Sequence, residues 1–217
     1  MMNAGNRTSR TFVLGASTVP GEFIVPRMRA MIGKYVPGVG LRVEIGDSQQ
    51  IYGKVASGDI ELGIIGTIFS SAEVDFTVAS KDDRLVVIVP VSHPLAARSS
   101  VSLADLKGER FIAREQGSGT RDSYEKALGD AGLSLSDLRI AAEVGDSASV
   151  VKAVASGAGI GIVSELAAQD AIEKGLVRPL NIPVLTIARN FYIIRQKGKE
   201  LSEDGDRILS VMLAVLR

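Results

Sequence analysis

The strongest constraint on this chain is a rhythm. Apolar runs of four to six residues alternate with segments whose apolar residues fall at helical spacing. The runs are Thr11–Ala16, Leu41–Ile45, Leu62–Ile65, Leu85–Val89, Arg110–Ala113, Ile140–Val144, Ile160–Val163 and Phe191–Ile194. Several are apolar at successive positions, as strands covered on both faces are. Between them, Tyr124, Ala127, Leu128 and Ala131 follow the i, i+3, i+4, i+7 spacing of one helical face. Val150, Val151 and Val154 do the same, as do Ile208, Met212, Val215 and Leu216. Strands and helices alternating at this pace predict an α/β fold with mostly parallel pairing.

The order of segments suggests two similarly wound units. Residues 11–90 hold strand, helix, strand, helix, strand and then further strand, and residues 91–189 repeat the programme. Residues 190–217 add one strand and one helix, which can return to complete the first unit. The expectation is lobe I from 11–90 plus 190–217 and lobe II from 91–189. Two crossings, near Pro90–Pro94 and Ile187–Phe191, would form a hinge beside a cleft. In open α/β sheets, ligands sit outside the carboxyl ends of strands. Residues 1–10 are polar and are expected to be a disordered lead, or a linker or tag remnant.

Composition narrows the chemistry. With 217 residues, a core can be buried without disulfide or metal staples. Lys+Arg and Asp+Glu both number 25, which excludes a protein that coats polyanions with surplus positive charge. There is no cysteine and one histidine, which removes thiol catalysis, thiolate zinc and multi-histidine metal sites. No metal or cofactor is therefore expected. No apolar run reaches the roughly 20 residues of a membrane span, and the polar start lacks the apolar stretch of a secretion signal. A cytoplasmic chain with no membrane partner is the expectation.

Four strand ends carry the candidate site. After the first strand come Ser17, Thr18 and Pro20, with Pro20 suited to a first helical turn and Ser17 or Thr18 to an N-cap. Free amides at such a helix start attract anions. Gly66 and Thr67 follow the strand Leu62–Ile65. Gly117-Ser118-Gly119-Thr120 follows the strand ending near Arg114 and forms a small anion nest, without the Gly-Lys-Ser/Thr ending of a P-loop. Gly145-Asp146-Ser147 opens the Val150 helix, with Asp146 or Ser147 as its cap. If both lobes wind alike, all four ends face one cleft, where hydroxyls and amides hold a small anion without a buried cation. Arg114, and less readily Arg121, could add charge, and Glu115 could neutralise either; a surface ion pair is the commoner fate of an arginine. His93 precedes Pro94, is held extended, and lacks the partners of a general base, so its expected role is structural.

With these residues in place, the chain resembles the effector-binding domain of a LysR-type transcriptional regulator over about residues 11–200. Four stretches in the family's order carry the resemblance: "LGASTVPGEFIVPRM", "SGDIELGII", "VSHPLA" and "VVKAVASGAGIGIVSELAAQDAIEKGLVRPL". The resemblance implies a type-2 periplasmic-binding-protein fold of two Rossmann-like lobes with a hinge. It implies a small-molecule effector, often anionic, held by Ser17, Thr18, Gly66, Thr67, Ser118, Gly119, Thr120, Asp146 and Ser147. It also implies a homodimer made through this domain, side by side in opposite directions. The family reads DNA through a winged helix-turn-helix and a linker helix, which residues 1–10 cannot accommodate. The expectation is an excised domain or a free-standing relative. The Gly-Ser-Gly-Thr turn also resembles one in phosphate- and molybdate-type binding proteins, which points to an oxyanion or compact carboxylate.

Two other readings compete. A transport-associated solute-binding protein of the same fold would need export. An enzyme such as a prephenate dehydratase would call for Thr-Arg-Phe, whereas Thr120-Arg121 is followed here by Asp122. With no acid-base constellation in sight, the chain is not expected to be an enzyme.

Overall fold

The computed structural model describes residues 10–216. Of the expected lead, residues 1–9 lie outside the described residues, and Arg10 opens the first strand. The strands are β1 (Arg10–Ser17), β2 (Val39–Gly46), β3 (Leu62–Ile65), β4 (Val74–Pro90), β5 (Arg110–Arg114), β6 (Arg139–Val144), β7 (Ile160–Ser164), β8 (Val177–Pro179) and β9 (Ile187–Gln196). The helices are α1 (Val25–Tyr35), α2 (Ser48–Ser57), α3 (Gly119–Asp130), α4 (Ser147–Ala155), α5 (Glu165–Glu173) and α6 (Glu203–Val215). The eight expected strands are all present, so the fold is α/β with two lobes. Each lobe runs strand, helix, strand, helix, strand: β1-α1-β2-α2-β3, then β5-α3-β6-α4-β7.

Among the described residues the strands form one sheet in the order β2-β1-β3-β9-β4-β7-β5-β6, with β8 on β4. β1 is parallel to β2 and β3, and β5 is parallel to β6 and β7. The two parallel sets are joined by β9 and β4, which are antiparallel to each other. Their register orients the site. Leu62 of β3 pairs with Arg195 and Ile65 with Tyr192, so β3 advances towards the start of β9. Gly161 of β7 pairs with Ile88 and Ser164 with Leu85, so β7 advances back along β4. Leu85 in turn pairs with Ile187. The carboxyl ends of β3 and β7 therefore point at each other across the middle of the β4–β9 ladder.

The passage between lobes differs from the expected Pro90–Pro94. β4 is 17 residues long and crosses within itself. Its first part pairs with β9 alone, and Leu85–Pro90 pairs with β7 and β8. The register shifts between Val78 and Ser80 and again between Ser80 and Asp83, and Asp82 has a φ of 63°. Such irregularities bend a strand without ending it. The apolar run Leu85–Val89 revealed only the second half of this strand, because its first half alternates with polar residues.

Each lobe has apolar layers on both faces of the sheet, as period-two alternation demands. In lobe II, Val87, Val89, Phe111, Ala113, Ile160 and Ile162 face Tyr124 and Leu128 of α3. The intervening Ile88, Ile112 and Val163 face Val150 and Val154 of α4. In lobe I, Leu14, Ala16, Leu62 and Ile64 pack on Met28 and Ile32 of α1 and Ile208 and Met212 of α6. Ile65 and Ile194 face Ile51 and Val55 of α2. Each large side chain buried this way contributes about 1.5–3 kcal/mol.

The lobe II strands pack closely at Gly159, where an added Cβ would overlap the carbonyl of Arg110. Gly159→Ala is expected to lower the unfolding free energy by about 2 kcal/mol, since backbone cannot swing aside. The check is a lower urea midpoint at unchanged slope; an unchanged midpoint would mean that β5 and β7 can part freely.

Candidate functional site

The facing strand ends build a small polar cavity of about 10 Å³, lined by Ser17, Thr18, Val19, Asp47, Ser48, Arg114, Ser118, Gly119, Thr120 and Arg189. Both lobes contribute, from the ends of β1, β2 and β5 and from β9. That volume suits about one water molecule, so any larger ligand requires the lobes to separate. A groove of about 670 Å³ lies between α1, the β4 bulge, α5 and the end of α6. Its charges are mixed, including Arg27, Lys81, Glu165 and Glu173. Size favours that groove; converging hydroxyls and guanidinium groups favour the small cavity.

Lobe I contributes the start of a long helical run. β1 ends at Ser17, helix begins at Thr18, and a π-helical turn spans Pro20–Ile24 before α1. The capping expectation for Ser17 and Thr18 is corrected here: the turn has no side-chain cap, and Thr18 is already helical. Its hydroxyl is freed for another partner, and it accepts a hydrogen bond from Arg114 Nη2 at 3.3 Å across the cleft.

In lobe II, Ser118 caps α3, its Oγ accepting from the Arg121 amide at 3.5 Å. Gly119 touches the other lobe: a Cβ there would meet Ser48 Oγ at 2.9 Å and the Gly66 carbonyl carbon at 3.1 Å. The Gln49 amide also donates to the Gly117 carbonyl at 3.4 Å. Asp146 caps α4, its Oδ1 accepting from the Ser149 amide at 2.6 Å.

Arg114, expected to add charge at the site, is a buried cation. Arg114 is 1% exposed. Its Nε and Nη2 donate to the two oxygens of Glu115, both at 2.7 Å, and its Nη1 donates to Ser147 Oγ at 2.9 Å. Its backbone amide donates to Tyr124 Oη, and burial pushes that phenol up to about 12. Burying a guanidinium is costly unless its donors are satisfied, and Glu115 with the cleft hydroxyls satisfies those of Arg114. Arg121 stays outside, paired with Glu125 and Glu143.

Arg189 is the second buried cation. Its Nε donates to Asp83 Oδ2 at 2.8 Å, and its Nη1 donates to Thr120 Oγ1 at 3.0 Å. Ser164 Oγ donates to the other oxygen of Asp83 at 2.6 Å. Burial draws the Arg189 pKa downward, although the charge of Asp83 opposes the shift.

Of the expected residues, Ser17, Thr18, Arg114, Ser118, Gly119 and Thr120 line the cavity together. Ser147 reaches it through Arg114, and Gly66 backs Gly119 and Arg189. Thr67 and Asp146 are not among its lining residues. His93 is structural: Nδ1 accepts from the Leu95 amide at 3.2 Å and Nε2 lies 3.4 Å from Glu109. Sequence reasoning missed Asp47, Ser48 and Arg189. A signal for two of them exists, since Glu44-Ile45-Gly46-Asp47-Ser48 and Glu143-Val144-Gly145-Asp146-Ser147 are near repeats. Asp47 caps α2 as Asp146 caps α4, and both serines are buried. Arg189 has no such signal.

Two lobes closing polar strand ends onto a shared cleft define a ligand-binding domain. Comparison with known proteins gives the family. The model for the LysR substrate binding domain matches residues 5–217, and the chain belongs to that family. An HTH-type transcriptional regulator of Methanocaldococcus jannaschii is 34% identical over 182 residues, which are 84% of this chain and 61% of that protein. The RuBisCO operon transcriptional regulator of Allochromatium vinosum is 32% identical over 187 residues, 86% of this chain and 60% of that protein. The chain thus spans about three fifths of the length of these curated relatives. The CcmR regulatory domain of Synechocystis in complex with 2-PG superposes with a TM-score of 0.85 at 25% identity, covering 95% of this chain and 97% of that one. The effector binding domain of QuiR in complex with shikimate gives 0.83 at 20% identity, covering 95% and 96%. These likenesses support the type-2 periplasmic-binding-protein fold.

Two outcomes follow from the site's electrostatics. Arg114→Ala is expected to lower unfolding free energy by about 3 kcal/mol, by breaking a buried pair and opening a void; urea unfolding reads this directly. Glu22 and Asp146 should titrate in opposite directions. Burial and the negative charge of Asp146 raise Glu22 above its ordinary 4.5. Burial works the same way on Asp146, but the Ser149 hydrogen bonds and the charge of Arg114 outweigh it and hold the carboxyl below 3.8. A carbon-detected NMR titration of both carboxyls is the check, and Ser149→Ala should move Asp146 upward.

Proposed function

We propose that this domain is the sensing part of a transcriptional regulator and binds a small anionic metabolite or oxyanion between its lobes. The observation that carries this reading is the convergence on one cavity of hydroxyls, the start of α3 and two buried guanidinium groups, drawn from both lobes. Ser17, Thr18, Ser118, Gly119 and Thr120 are the proposed contacts, backed by Arg114 and Ser147. Gly66 allows the close approach of Gly119. Thr67 and Asp146 take the rim when the lobes part.

A sensor needs two states that its ligand distinguishes. One is the arrangement in which Arg114 bridges to Thr18 and Arg189 bridges to Thr120. In the other, a ligand stands between these partners and sets a wider spacing. The family relatives named as transcriptional regulators support the regulatory role, and the small molecules in the CcmR and QuiR complexes support a compact ligand. On this reading the domain binds without turnover, and a structural role for its single histidine, His93, in the turn after β4 supports it. The domain works in the cytoplasm as a homodimer, and DNA contact falls to another part of the whole regulator.

A ligand that binds only the folded cleft adds about 2.7 kcal/mol at a hundred times its Kd. Thermal unfolding with inorganic sulfate, inorganic phosphate, 2-PG, shikimate and short carboxylates should therefore show a rise with at least one. A flat response to all of them would remove the anion-sensing reading. Thr18→Ala and Thr120→Ala should each weaken the active compound by about 1 kcal/mol, the scale of one hydrogen bond, as measured by titration calorimetry.

A further inference from the structure

The two arginines of the cleft differ in what they have left to give. Every nitrogen of Arg114 has a partner: Nε and Nη2 face Glu115, Nη1 faces Ser147, and Nη2 also reaches Thr18 and the Gly145 carbonyl. Arg189 is arranged otherwise. Its Nε is taken by Asp83 and its Nη1 by Thr120, while Nη2 is buried with no hydrogen-bond partner among the described residues. The side chain is only 7% exposed. An orphaned donor on a buried cation carries a full desolvation cost and calls for an explanation.

The surroundings hold this guanidinium in place. Its carbon lies 5.0 Å from the centre of the Phe191 ring, and Gly66 leaves room beside it: a Cβ there would stand 2.9 Å from Nη1. Asp83 is shared with Ser164, so the anion facing Arg189 is partly engaged elsewhere. Arg189 also lines the same cavity as Thr18, Ser118 and Thr120.

We infer that Arg189, through Nη2, takes the effector's anionic oxygen, while Arg114 remains committed to Glu115 and fixes the shape of lobe II. This rests on the cleft reading above and names its anchor. The ligand class is a compact oxyanion head: a carboxylate, sulfate or phosphate. One oxygen meets Nη2 and a second meets the Thr120 hydroxyl or the amides at the start of α3. A charge-assisted bond of this kind is stronger than a neutral one, and the planar guanidinium fork gives it a direction that lysine lacks.

The test uses side-chain 15N NMR of the intact chain, with Arg189→Lys identifying the Arg189 signals by their loss. Titration with inorganic phosphate, inorganic sulfate and acetate should shift the Arg189 guanidinium signals further than those of Arg114. Arg189→Lys keeps the charge but loses the fork, and should bind the same ion about tenfold more weakly or worse. If that variant does not fold, the Arg189 signals are assigned in wild type through their bonds to the residue's own backbone resonances, and the wild-type titration decides. Binding that moves Arg114 alone, or an Arg189→Lys affinity equal to wild type, overturns this assignment and leaves the cleft reading standing. No binding of any of the three ions by wild type, together with a flat thermal screen, overturns both.

Discussion

The antiparallel ladder between β4 and β9 governs the whole arrangement. Each lobe is a parallel set, and a parallel set has all its carboxyl ends on one side. β3 and β7 pair with this ladder from opposite ends and in opposite senses, so the two carboxyl sides face inward. Without that reversal, Thr18 and Thr120 would sit on unrelated surfaces. The bulges at Ser80–Asp83 and the positive φ of Asp82 fall at the passage itself. The most irregular part of the ladder is therefore also the passage between its two halves.

Charge burial is the second organising fact. Two guanidinium groups lie in the cleft, and each has one carboxylate: Glu115 for Arg114 and Asp83 for Arg189. A buried pair of this kind adds little net stability, but removing one partner is costly. Its effect is to hold geometry. Arg114 ties β5 to the start of α4 and reaches across to lobe I. Arg189 ties both crossing strands to the start of α3. Any change in lobe spacing must alter these bonds.

Closure is tight because small residues meet in the gap. Gly119 lies against Ser48 and Gly66, and Gln49 donates across to Gly117. Separating the lobes breaks hydrogen bonds that water can replace, at a modest net cost per bond. On the proposed reading, that is the physical basis on which the cleft opens to a small ligand while both lobe cores stay intact.

The sequence by itself determined the local and repeated features. Apolar runs marked the eight strands: burial on both faces demands them at successive positions in β3 and β7, whereas the edge strands β2 and β6 carry such runs although they are partly or largely exposed. The glycines, serines and Asp146 at strand ends marked where helices begin, because capping is a local interaction within a few residues. The near repeat of Gly-Asp-Ser at 46–48 and 145–147 was also legible, although only its second copy was recognised. Tertiary structure alone decided the rest. The burial of Arg114, the place of Arg189 and the path of β4 through both lobes all depend on partners tens of residues away: Thr18 is 96 residues from Arg114, and Asp83 is 106 from Arg189. The carboxylate of Arg114 is its sequence neighbour Glu115, but no local pattern records the distant hydroxyls that meet Arg114 or the carboxylate that meets Arg189 inside the fold.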